Sequence, residues 1–179
     1  MKRSLILLST GALGVAMIYA GAGAQVLKNH DSNAPVNFTA DRIEVQDRAD
    51  RVVVSGNVEV TQAGMKLNAA RMTVAYRNGA GNGVEVDRID ASGNVVVTKG
   101  NETARGNVAI YDLNSRLITM IGNVTLTQGA NRLTGGRLVI DLTSGRSMVD
   151  GRSSGGASGV SGGSGGRVSG TFTVPQRKN

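Results

Sequence analysis

The sequence predicts an all-β fold, on three observations. One strand-length motif is written three times, as Ser55-Gly-Asn-Val-Glu-Val-Thr-Gln62, Ser92-Gly-Asn-Val-Val-Val-Thr-Lys99 and Ile121-Gly-Asn-Val-Thr-Leu-Thr-Gln128. Each copy is followed by a polar turn and a second motif: Ala70-Arg-Met-Thr-Val74, Gly106-Asn-Val-Ala-Ile110 and Gly136-Arg-Leu-Val-Ile140. Apolar residues alternate with polar ones and show no sustained period near 3.6 after the first 24 residues. Paired strand motifs repeating without a helix between them are the signature of stacked β-hairpins.

Residues 1 to 24 have the three parts of a secretory signal. Lys2 and Arg3 carry charge, Leu5 to Tyr19 form the apolar run, and Ala22-Gly-Ala24 is a small-residue cleavage site. Retained instead of cleaved, the same run is an N-terminal anchor, although it is shorter than the roughly 20 residues of a membrane span. Residues 25 to 37 are polar and read as a disordered lead-in, and structure is expected from Phe38. The segment Ala40-Asp-Arg-Ile-Glu-Val45 resembles the second motif, so the first unit lacks its opening half. Gln46 to Asp50 make a charged turn before Arg51-Val-Val-Val54 leads into the first repeat.

Within the repeats the parity is regular. Val52, Val54, Val58 and Val60 share one face; Ile89, Ala91, Val95 and Val97 do so around Gly93, and Ile118, Met120, Val124 and Leu126 around Gly122. Val53 and Glu59 face the other way. A glycine recurring in mid-strand predicts a bulge or bend that curves the sheet around a core. Met72, Val74 and Tyr76, then Val108 and Ile110, then Leu138, Ile140 and Leu142 supply the returning strands, which start at Leu67, Thr103 and Leu133. Turns fall at Arg77 to Gly83, Asn114-Ser115 and Thr143 to Gly145. Residues 151 to 170 hold nine Gly and six Ser in 20 positions, a flexible linker. Thr171 to Val174 could add a short strand, and Pro175 to Asn179 form a basic end.

Composition excludes several functions. His30, the single histidine, lies in the polar lead-in, so neither a histidine acid–base pair nor a histidine metal cluster can be built. Zero Cys leaves no disulfide framework or thiolate site. Scattered carboxylates such as Glu59, Glu85, Asp87 and Glu102 could stand at glycosidase separation, but without Trp, and with three Tyr and two Phe, no sugar-stacking platform accompanies them. The net charge of +7, or 18 − 13 = +5 after cleavage at Ala24, suits an anionic envelope partner. Export and 3% aromatics argue against nucleic acid. No cofactor and no metal is expected. A binding or scaffold protein remains. If its curved sheet closes, the Val, Ile, Leu and Met residues are a core; if its halves stay apart, they line a groove. A groove taking a twelve-carbon acyl chain gains about 9 kcal/mol at roughly 0.8 per methylene.

Ala40 to Val45, Gly56-Asn-Val-Glu-Val-Thr-Gln62 and Leu67-Asn-Ala-Ala-Arg-Met-Thr-Val74 resemble the opening of the OstA-like domain family of periplasmic lipopolysaccharide-transport proteins in Gram-negative bacteria. The resemblance covers residues 36 to 150 and implies a β-jellyroll, a V-shaped slab of stacked antiparallel strands with an apolar groove, in a domain over 38 to 150. It implies no catalysis and a place in the periplasm. There the family carries lipopolysaccharide from inner to outer membrane, its lipid A acyl chains shielded in the groove. Members join head to tail with each other and with inner-membrane-anchored and outer-membrane subunits of the bridge. Carried over, the groove lining is Val52, Val54, Val58, Val60, Leu67, Met72, Val74, Ile89, Val95, Val97, Val108, Ile110, Ile118, Met120, Val124, Leu126, Leu133, Leu138 and Ile140. The Gly/Ser tail over 151 to 179 is not part of the family pattern. An anchored subunit of the same system and an exported structural β-repeat with a closed core are the rival readings.

Overall fold

A computed structural model describes residue 27 and residues 30–79, 83–151 and 166–173. The expected signal sequence over 1 to 24, most of the Gly/Ser segment and the basic end lie outside the described residues. Among the described residues, ten strands form one antiparallel sheet: β1 (Asn37–Thr39), β2 (Arg42–Gln46), β3 (Arg51–Gln62), β4 (Met65–Asn78), β5 (Val84–Lys99), β6 (Glu102–Asp112), β7 (Leu117–Gln128), β8 (Asn131–Asp141), β9 (Arg146–Asp150) and β10 (Ser169–Thr171). β3 to β8 pair in chain order; β1 and β2 share the free edge of β3, and β9 and β10 share that of β8. The fold is an all-β jellyroll in which every long strand is bent in the middle.

The bend is written in the repeated Gly-Asn pair. Ser55 pairs with Arg71 and Val58 with Ala69, so Gly56 and Asn57 stand opposite Ala70 alone. Gly93-Asn94 oppose Asn107 in the same way, and Gly122-Asn123 oppose Gly136. Two residues against one is a β-bulge, which sharpens the twist and kinks the strand. All three pairs hold positive φ at both residues, 77° and 45°, 82° and 50°, 81° and 48°. Glycine and asparagine are the residues that enter this left-handed region most readily, which explains why the pair recurs. Stacked on alternate strands, the bulges form a spine that divides the sheet into two walls.

Three cross-strand ladders line the walls. On the first wall run Phe38, Val60, Leu67, Val97, Ala104, Leu126 and Leu133, each the register partner of the next. On the second run Ile43, Val54, Met72, Ala91, Ala109, Met120, Leu138 and Val149, and beside them Val45, Val52, Val74, Ile89, Tyr111, Ile118 and Ile140. Each wall thus presents a continuous aliphatic stripe. Eight strands at about 4.8 Å spacing make a stripe roughly 34 Å long.

One expected face is wrong. Val108 and Ile110 lie on the outer surface, with Val108 37% exposed, while Ala109 and Tyr111 point inward at 0% and 1%. The reason is the spine. On β3, β5 and β7 the bulge absorbs an extra residue, so inward positions such as Val54 and Val58 keep one parity across it. On β4, β6 and β8 the partner strand has no extra residue, so the inward set changes parity at the bend, from Ala69 to Met72 and from Gly106 to Ala109. Thr103 is out of phase for the same strand, and Ala104 takes the inward place.

Candidate functional site

The candidate site is the space between the two walls. Val54, Val58, Val60, Leu67, Met72, Val74, Ile89, Val95, Val97, Ile118, Met120, Val124, Leu126, Leu138 and Ile140 all face it, none more than 3% exposed. Val52 and Leu133 pack against this cluster from its ends as half-buried residues. Val108 and Ile110 are absent from it. Alternation missed Met65, Ala104 and Tyr111, which are also interior. Fully burying an aliphatic side chain is worth about 1.5–3 kcal/mol, so the site and the core of the fold are the same set of atoms.

The walls converge away from the spine on a small polar cluster. Tyr111, from the second wall, donates a 2.8 Å hydrogen bond from its hydroxyl to Oε1 of Gln62, on the rim of the first. The Gln62 amide donates from Nε2 to the carbonyls of Ser32 (3.0 Å) and Ala34 (2.9 Å). Those two acceptors fix the amide orientation, so His30, 3.0 Å from the same Oε1, donates from Nε2. Burial pushes the His30 imidazole below its ordinary pKa, and burial raises that of the Tyr111 phenol. Both groups are therefore neutral at pH 7, since burial disfavours the charged form of each.

His30 and the residues after it belong to the expected disordered lead-in, yet they are placed on the mouth of the site. Residues 32–36 lie between Gln62 on one rim and Arg77, Val84 to Val86 and Leu113 on the other, around a cleft of about 470 Å³. Leu27 is 2% exposed, belongs to the core cluster, and lines a small cavity with Val97 and Ala104 of the first wall and Ile140 of the second. Its backbone N–H donates to the buried carboxylate of Glu102, which also accepts from Gln128 Nε2 at 2.8 Å. No sequence signal marks these contacts, because Val26-Leu27 is only a two-residue apolar step in a polar stretch and Ala104 a small residue in an aliphatic ladder.

Among the described residues no group of three or more His, Asp or Glu is placed to hold a metal ion. The arrangement suits holding an elongated apolar molecule between two greasy walls. At each end the sheet offers an edge: Ile43 and Val45 on β2 continue the inner ladders yet are 51% and 60% exposed.

Comparison with known proteins agrees with this geometry. Residues 37–146 match the family described as LptA/(LptD N-terminal domain) LPS transport protein. An uncharacterized protein of Rhizobium meliloti (strain 1021) is 29% identical over 154 residues, covering 80% of this chain and 83% of that protein. Among solved structures, LptH from Pseudomonas aeruginosa superposes with a TM-score of 0.68 at 20% identity, over 81% of this chain and 99% of that one. LptH is described as the LptA homologous periplasmic component of the conserved lipopolysaccharide transport device. Its likeness shows the shared fold. With more than half its length matched, the chain belongs to the LptA/(LptD N-terminal domain) family of lipopolysaccharide transport proteins, which are transport proteins and not enzymes.

Proposed function

We propose that this chain binds lipopolysaccharide in the periplasm, holds its acyl chains between the two walls, and passes it from the inner toward the outer membrane without chemistry. The observation that carries this reading is the pair of facing aliphatic stripes in a sheet whose ends are not joined to each other. An open stack can be extended at both ends by strand addition, so copies aligned head to tail give a continuous apolar track. Anchored inner-membrane and outer-membrane subunits of the transport bridge are the partners at its ends. β10 covers three residues of the β8 edge, Arg132 to Thr134, and has to leave before a neighbouring strand can pair there.

The closed interior favours a second reading, a structural β-repeat whose walls simply form a core. The two separate on transfer. Lipopolysaccharide preloaded on one copy is expected to move to a second, tagged copy in solution. Failure to co-purify with lipopolysaccharide at all contradicts the transport reading and leaves the scaffold. Anchoring through residues 1 to 24 is settled by the N-terminal sequence of the exported protein.

A further inference from the structure

We infer that Leu27 and residues 30–36 act as a built-in strap that closes the groove when it is empty and is displaced by the incoming acyl chain. The inference rests on the lipid-groove reading and assigns its gate. The strap bridges both rims along the mouth. Leu27 lines one small cavity together with Val97 and Ala104 of the first wall and Ile140 of the second. Val36, next to β1, packs on the same core cluster. Its position is that of a ligand, since an aliphatic group is inserted between the walls while its amide and carbonyls meet polar side chains at the rim.

Its attachment is of the replaceable kind. The buried Leu27 side chain lines the same small cavity as Ala104, the smallest inner residue of its ladder between Val60 and Leu133. Two rim groups hold the backbone: Glu102 accepts from Leu27 N–H, and Gln62 donates to the Ser32 and Ala34 carbonyls. His30 Nδ1 and Ser32 Oγ are buried without a hydrogen-bond partner, so the strap is seated with two polar atoms unsatisfied. An acyl chain entering over Ala104 gains the same apolar contacts without those two defects. Glu102 and Gln62 are then free to meet the N–H and carbonyl groups of an acylated headgroup.

The test uses the full chain and a fluorescent twelve-carbon acyl probe. Leu27→Asp puts a charge into the apolar slot and is expected to release the strap, tightening probe binding at least tenfold; Leu27→Ile is expected to match the parent. Gln62→Leu removes the two carbonyl ties and is expected to act in the same direction with smaller effect. A nitroxide on Asn33→Cys, an exposed strap position in a chain with no native cysteine, reads the strap directly. It is expected to be immobile in the empty chain and mobile once the probe is bound. Equal affinity in parent, Leu27→Asp and Gln62→Leu, or a nitroxide that stays immobile with probe bound, overturns the strap and leaves the groove standing. No probe binding by any form overturns both.

Discussion

Ala109→Asp is expected to prevent folding, and Val108→Asp, one residue earlier on the same strand, to be tolerated. Ala109 is 0% exposed in the middle of an inner ladder, between Ala91 and Met120. A carboxylate there is surrounded by aliphatic groups with no donor in reach. An uncompensated buried charge costs several kcal/mol, against a total domain stability of about 5–15 kcal/mol. Val108 is 37% exposed and faces Ser92 and Ile121 on the outer surface, so its loss is expected to stay within about 1 kcal/mol. Circular dichroism melts of the two variants read the difference. Unfolding of Val108→Asp with survival of Ala109→Asp contradicts the change of parity on β6.

The second large effect is at the spine. Gly93→Ala is expected to cost about 2–3 kcal/mol and lower the melting temperature by roughly 5–10 °C. Two terms add. A side chain at φ 82° costs about 1–2 kcal/mol. In addition the new Cβ stands 2.7 Å from Ala70 Cβ, which has no rotamer to move. Gly64→Ala isolates the first term, because Gly64 has φ 77° but nothing within 4 Å of its Cβ position. It is expected to cost about half as much. Equal losses at the two sites contradict the close approach of β4 and β5 at the bend.

Much of this architecture is legible in the chain. The three Gly-Asn-Val copies mark the bulges because only a few residue types hold successive positive φ, and the parity around them is unbroken on β3, β5 and β7. The returning strands are harder. Their change of face is imposed by a neighbour's bulge, so Gly106-Asn-Val-Ala-Ile110 looks like an inward Val and Ile while Ala109 and Tyr111 do the packing. Hydrophobicity is a poor guide there: Tyr111 fills its ladder and also needs a polar partner across the gap, which Gln62 supplies. The strap is illegible for a different reason. Lys28-Asn-His30-Asp-Ser-Asn33 has the composition of a solvated lead-in, and Leu27 and Ser32 are held by two rim residues, Glu102 and Gln62, that are distant in sequence.

The central claim is that the inner faces of the two walls are the lipid site. Photoreactive side chains at Val58, Val95 and Met120, with Glu59, Val108 and Ile110 as outward controls, test it in the presence of lipopolysaccharide. The account predicts cross-links from the three inner positions and none from the three outer ones. Equal labelling of both faces, or labelling of the outer set alone, contradicts it.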